Sequence, residues 1–240
     1  MTALDGRRVV VIGGSAGIGL ATAKLLASRH AKVMIGGRDP QRLVQARASL
    51  GGGAETIQVD AADPESLRRC YEQAGSFDDL VLTVTRRGGA GPAAALAGQD
   101  LLGAFAGKTI AQLQAVALAL PYLAERGSIT LVTAGSAQSA LPGTAGLAAV
   151  NGALEAAVPV LARELGPRRV NAVSPGVIET GWWDELPEDE RRAVFASFAE
   201  RAPAGRNGTP QDVAHAIAAL VENGFITGIV LPCDGGLRLT

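Results

Sequence analysis

Apolar, β-branched runs alternate with segments of helical periodicity along the whole chain. Val9-Val10-Val11-Ile12 predicts a buried strand over 7–13, and the spacing of Leu20, Ala21, Ala23, Leu25 and Leu26 predicts a helix over 18–29. The alternation continues with strands over 32–36, 55–59, 80–84, 128–133, 169–173 and 226–231. Helices are predicted between them over 40–50, 63–74, 99–125, 147–165 and 210–222. Pro40, Asp63-Pro64-Glu65 and Thr209-Pro210 supply start signals, because an Asx or Thr cap accepts from the free N–H groups of the first turn and a proline there has no N–H to satisfy. Gly51-Gly52-Gly53 reads as a loop, 86–98 as a Gly/Ala/Pro loop with one helical turn at most, and 181–201 as a partly helical excursion. Strands that recur between helices predict an α/β chain: about seven parallel strands, joined by right-handed crossovers, with helices on both faces. No linker or repeat interrupts the pattern, so 1–240 is expected to be a single domain.

Composition narrows the classes without choosing one. A net charge of −1 gives no electrostatic reason to expect nucleic acid or an anionic membrane as partner. The residues at 1–8 hold no apolar signal core, and no run approaches the ~20 apolar residues of a membrane span. Cys70 and Cys233 lack metal-ligand spacing, so no metal site is expected and a reduced, cytoplasmic setting is. Aromatic residues make up only 4%, which makes the pair Trp182-Trp183 conspicuous.

The chemistry begins at Gly13-Gly14-Ser15-Ala16-Gly17-Ile18-Gly19, where the first strand runs into a glycine-rich turn and then a helix. Glycines let the backbone approach a pyrophosphate, and the N–H groups opening the next helix bind its charge. The alternative is a tight turn with no ligand. The second strand ends Ile35-Gly36-Gly37-Arg38-Asp39. An acid at the strand end would hold the ribose 2′-OH of NAD(H). Here Gly37 leaves room and Arg38 can pair with a 2′-phosphate, which favours NADP(H), with NAD(H) as the alternative and the Asp39 charge as a counter-argument.

Gly13, Gly17 and Gly19 on that turn, Asp60 past the third strand, Val170-Asn171-Ala172-Val173-Ser174-Pro175-Gly176-Val177-Ile178-Glu179-Thr180, and Ile226 through the Asp234-Gly235-Gly236 turn together resemble the short-chain dehydrogenase/reductase family over nearly the whole chain. Ile12 stands where that family usually has Thr. The resemblance implies a Rossmann-type doubly wound sheet, oxidoreductase activity, and a cofactor held by Gly13, Ser15, Gly17, Ile18, Gly19, Arg38, Asp60, Pro175, Gly176, Ile178 and Thr180. It also implies a homo-oligomer, tetramer or dimer, built on the two long helices, and a small-molecule substrate.

The same resemblance implies a Tyr acid, a Lys one turn later, a carbonyl-polarising Ser and a water-holding Asn. Aligned on Asn151-Gly152-Ala153-Leu154-Glu155, these positions hold Leu147 for Tyr, Asn151 for Lys, Ala134 for Ser and Lys108 for Asn. The Asn-Asn-Ala-Gly that ends the family's fourth strand is replaced by Leu82-Thr83-Val84-Thr85. Tyr71 and Tyr122 lie elsewhere and read as packing residues, and His30 and His215 as helix surface. The candidates left for chemistry are Lys108, Asn151, Thr133 and Ser136, with Ser139 a further hydroxyl. Lys108 is either a cleft acid or electrostatic stabiliser, or a surface lysine on an amphipathic helix. Arg86 and Arg87, past the fourth strand, lie near where a substrate or cofactor phosphate would sit, but loop cations are more often simply solvated, which is the expected reading. Trp182-Trp183 is either a wall for an apolar ligand or a packing anchor for the lid. Two functions therefore remain: an NADP(H)-dependent oxidoreductase with a non-standard proton donor, or a catalytically silent scaffold that binds the dinucleotide.

Overall fold

Val9, Val10, Val11 and Ile12 are all buried because β1 (Arg8–Ile12) pairs on both sides, with β2 (Lys32–Gly37) and β4 (Phe77–Leu82). The computed structural model describes residues 4–240. With β3 (Glu55–Gln58), β5 (Leu123–Val132), β6 (Arg169–Pro175) and β7 (Val230–Cys233), these strands form one parallel sheet in the order β3-β2-β1-β4-β5-β6-β7. Successive side chains of a strand point to opposite faces. Val10 and Ile12 accordingly join a core with Leu67, Tyr71, Ala115 and Leu154, while Val9 and Val11 join the other with Leu26, Leu43, Val213 and Ile217. One layer therefore comprises α3 (Pro64–Ala74), α5 (Ala111–Ala119) and α6 (Ala145–Glu164). The other comprises α1 (Gly17–Ser28), α2 (Pro40–Ser49) and α8 (Pro210–Glu222), and α7 (Glu188–Arg201) lies in the excursion between β6 and α8. The expected doubly wound sheet is what forms.

Start signals act as expected. Asp39 accepts from the N–H groups of Gln41 and Arg42, Asp63 from Glu65, and Thr209 forms a capping box with Asp212. Four boundaries differ. The fourth strand is shifted to Phe77–Leu82, leaving Val84 to turn towards the site. The helix expected over 99–125 is α4 (Gly98–Ala104), a π-helical stretch (Phe105–Ile110) and α5, ending at Ala119. The Ala/Leu composition reads as helix, but Leu123 is drawn into register with Phe77, and β5 starts there. The last strand begins at Val230, not 226, because Thr227 and Gly228 make a turn onto Val170, with Gly228 at φ +77°. His30 is not on a helix: it lies just past α1 at φ +68°.

The expectation that no segment is long and apolar enough to cross a membrane is also corrected. Gly98–Ala119 and Ala145–Glu164 both are, by length and composition. Here each lays one face on the sheet, through Ala115 and Ala119 and through Leu154 and Val158.

Candidate functional site

The site lies at the carboxyl ends of β1, β4, β5 and β6, where strand order reverses about β1 and β4 and an open parallel sheet leaves a crevice. At its β1 end, Gly13 (φ +89°) and Gly17 (φ +50°) need conformations that other residues resist. A Cβ on Gly19 would sit 2.2 Å from the Gly13 carbonyl oxygen, so only glycine lets α1 start this close to β1. Unlike α2, α3 and α8, helix α1 has no side-chain cap at its start, Ala16, and unlike α3 and α8 it has no acid in its first turn. Its first N–H groups are therefore open to an anion. Glycine-limited backbone and open N–H groups at Ser15, Gly17, Ile18 and Gly19 have the shape and chemistry for a dinucleotide's pyrophosphate.

At the strand-end position, a Cβ on Gly37 would lie 2.8 Å from Ser15 Oγ. The glycine is thus required by contact with the turn itself, a reason beyond leaving room for a phosphate. Arg38 is exposed and its side chain makes no ion pair among the described residues. The Asp39 carboxylate caps α2 and pairs with Arg42 at 3.5 Å, so its charge is directed away. Asp60 Oδ1 accepts from the Ala62 N–H at 3.0 Å. Across the crevice, Thr180 Cγ2 stands 3.6 Å from where a Gly17 Cβ would be, and Gly176 packs so tightly on Asp234 that a Cβ would lie 2.8 Å from its Cα. Ile18, Pro175, Gly176, Ile178 and Thr180 therefore line one cavity of about 290 Å³.

Lys108, Thr133, Ala134, Ser136, Ser139, Leu147 and Asn151 line the same cavity, so the structure brings the candidate chemistry together. Lys108 is buried, which decides against the surface reading. Its Nζ donates to the Thr133 carbonyl oxygen at 3.0 Å, and burial lowers its pKa to about 8 against the opposing pull of Glu155. It sits in the π-helical stretch, a local widening that often marks functional sites. Asn151 Nδ2 donates to the Leu147 carbonyl oxygen at 2.9 Å and to Ser136 Oγ at 3.2 Å, while its Oδ1 has no partner among the described residues. Thr133 Oγ1 donates to Glu155 Oε1 at 2.8 Å, so that hydroxyl hydrogen is committed away from the cavity. Tyr71 and Tyr122 pack together in the core, with ring centroids 6.3 Å apart.

Three features were not legible beforehand. Gln112, fully buried one turn past Lys108, donates to the carbonyl oxygens of Val84 and Val132 at 3.1 Å each and ties the ends of β4 and β5 together. Glu155 gathers Thr133, Ser174 and Gln138. Arg87 is not a solvated cation: its guanidinium lies 5.2 Å from the Trp182 ring centre, bonds the Trp182 carbonyl oxygen and pairs with Glu185. Trp182 and Trp183 both line the cavity, and Trp183 is braced edge-on against Phe195 and by its Nε1–H to the Ile178 carbonyl oxygen at 3.0 Å. The pair is both wall and anchor. No single-residue pattern signalled these contacts, because each joins residues distant in the chain.

A family model described as enoyl-(acyl carrier protein) reductase matches residues 13–238. The chain is 34% identical to cis-4-hydroxycyclohexanecarboxylate dehydrogenase of Sinomonas cyclohexanicum, with 96% of each covered. It is 31% identical to carbonyl reductase family member 4 of Xenopus tropicalis, covering 95% of this chain and 97% of that one. Among solved structures, a small-chain dehydrogenase in complex with NADPH superposes with a TM-score of 0.86 at 31% identity, over 98% of this chain and 100% of that one.

Proposed function

The chain belongs to the short-chain dehydrogenase/reductase family, and from that premise we propose that it is an NADP(H)-dependent oxidoreductase acting on a small carbonyl or alcohol substrate, with Lys108 in the role of proton donor. When bound, the nicotinamide would supply or accept the hydride. The glycine turn and the uncapped start of α1 would hold its pyrophosphate, Arg38 its 2′-phosphate, and Pro175, Gly176, Ile178 and Thr180 the nicotinamide side. The relative co-crystallised with NADPH supports this choice of cofactor.

The observation that carries the reading is the buried Lys108 ammonium on the cavity wall, with Asn151 on the neighbouring helix. Against the family pattern, the Lys and Asn positions have exchanged residue types, so an ammonium and an amide are kept in the site on opposite helices. Lys108 spends one hydrogen bond on Thr133 and keeps N–H donors for a carbonyl oxygen or the alkoxide that develops from it. A pKa of about 8 lets it release a proton near neutral pH. The unpartnered Asn151 Oδ1 can accept from a substrate hydroxyl. Thr133 and Ser136 act by positioning, through Glu155 and Asn151 respectively. The relatives named for a hydroxy-acid dehydrogenase and a carbonyl reductase support this substrate class.

A second reading has its own support. Leu147 and Ala134 are apolar where the family places its Tyr and Ser, which favours a silent dinucleotide-binding scaffold. NADPH oxidation across a panel of aldehydes and ketones decides between them. Turnover that falls by about 10²-fold or more in Lys108→Ala is expected of the enzyme. NADPH binding without turnover of any substrate overturns it in favour of the scaffold. Restoring Ser, Tyr and Lys at Ala134, Leu147 and Asn151 should raise carbonyl reduction by the family's usual route.

A further inference from the structure

We propose that the cavity binds a small apolar monocarboxylate, its carboxylate seated on Lys108 and its body against Trp182 and Trp183. This names a ligand class for the same cavity, an occupant that competes with a carbonyl substrate for Lys108, and it does not depend on hydride transfer or on bound cofactor.

The walls are largely apolar: Leu147, Val150, Val177, Trp182, Trp183 and Phe198 all face the cavity. Three cations also line it, and they are not equivalent. Arg238 is paired with Asp234 at 2.9 Å, and Asp234 also accepts from the Gly236 and Arg238 N–H groups, so that pair is self-contained. Among the described residues Lys108 makes no ion pair, only its bond to a neutral backbone oxygen. Arg86, on the loop after β4, makes no ion pair among the described residues either. Its stem packs where a Cβ on Gly107 would come within 2.4 Å of Arg86 Cβ, beside Lys108 in the chain. Arg86 is exposed, so Lys108 is the buried cation among the three.

The carboxylate that acts on Lys108 is Glu155 of α6, and its oxygens are already taken. Oε1 accepts from Thr133 Oγ1 and Ser174 Oγ at 2.8 Å each, and Oε2 from Gln138 Nε2 at 2.8 Å. A buried ammonium whose one hydrogen-bond acceptor is neutral is costly, and an incoming carboxylate supplies a directly bonded counter-charge, which the more distant Glu155 does not. The apolar walls then favour a hydrocarbon body over a polar one. Burial, which draws the Lys108 pKa down to about 8, adds a signature. A carboxylate stabilises the protonated lysine, so its affinity holds below the pKa of the free protein and declines above it.

The chain's two tryptophans are Trp182 and Trp183, so tryptophan fluorescence reports on the cavity directly. Cofactor-free protein is titrated with 3-phenylpropionate and with its neutral analogue, 3-phenylpropan-1-ol. At pH 7 the acid is expected to bind at least ~10-fold more tightly, and that preference is expected to vanish in Lys108→Met. In the wild type the preference should shrink about tenfold per pH unit above ~8, while alcohol binding stays flat. Equal affinity for acid and alcohol, a preference that survives in folded Lys108→Met, or no saturable binding of the acid overturns the proposal. So does inorganic phosphate competing as well as the acid, since the site is then a general anion site. If Lys108→Met does not fold, the wild-type pH series decides: an acid preference that does not change with pH overturns it. Failure to bind or oxidise NADPH would sink the oxidoreductase reading without moving these titrations.

Discussion

At the scale of single residues, the decisive position is Lys108. Neighbouring apolar residues left it balanced between cleft and surface, and only its hydrogen bond to Thr133 and its burial place it inside. Its lowered pKa has a stability consequence whose sign can be worked out. The unfolded chain holds the proton up to about 10.5 and the folded chain only to about 8. Between those values the unfolded state binds more protons, so stability attributable to Lys108 rises with pH. Wild type is therefore expected to gain on the order of 3 kcal/mol relative to Lys108→Met between pH 7.5 and 10.5, read as the difference in denaturant unfolding free energies. A difference that stays flat over that range would show that the amine is not desolvated. Arg38 carries a second expectation. On the proposed function, with Gly37 fixed by contact with Ser15 and Asp39 occupied by α2, Arg38 is the group assigned to the cofactor's 2′-phosphate. Calorimetry should show tighter binding of NADPH than NADH in wild type, and that order reversed or erased in Arg38→Asp. Equal affinities in both proteins would remove Arg38 from the site.

At the scale of elements, the strands are held by more than their ladders. Arg7, just before β1, donates two hydrogen bonds to Asp79 of β4 at 2.8 and 2.7 Å, and Ser128 of β5 adds a third at 2.6 Å. Asp79 is fully buried, so removing it leaves three donor groups on Arg7 and Ser128 without their acceptor under the sheet. Asp79→Ala is expected to cost about 3–5 kcal/mol in urea unfolding, the range for breaking a buried ion pair. A loss no larger than that of an exposed ion pair would mean that water replaces the carboxylate. The elements also show why boundaries slipped. Helix signals that lie within a segment, such as Asp63-Pro64 or Thr209-Pro210, placed α3 and α8 correctly. The stop at Ala119 and the late start of β7 depend on Phe77 and Val170, partners far away in sequence.

At the scale of the whole molecule, α6 lays Leu154 and Val158 on the sheet yet leaves Val160 exposed, and Leu102 and Ile110 are exposed on the other long helical segment. Apolar helix surface left over after one face is buried suggests a second copy of the chain as its cover. A dimer or tetramer is expected by light scattering at micromolar concentration, and a monomeric mass would refute it. The sequence by itself determined the class of fold, the glycine turn and the residues along the crevice. Hydrophobic period, caps and glycine spacing are local properties, and the chain writes them where they act. The tertiary structure alone decided that Lys108 and Asn151 share one cavity, that Glu155 acts on the lysine without an ion pair to it among the described residues, and that Arg87 bridges to the tryptophan lid. Those facts depend on distances between elements far apart in sequence. Burial then fixes which charges lie far enough from water to matter, and no local pattern encodes it.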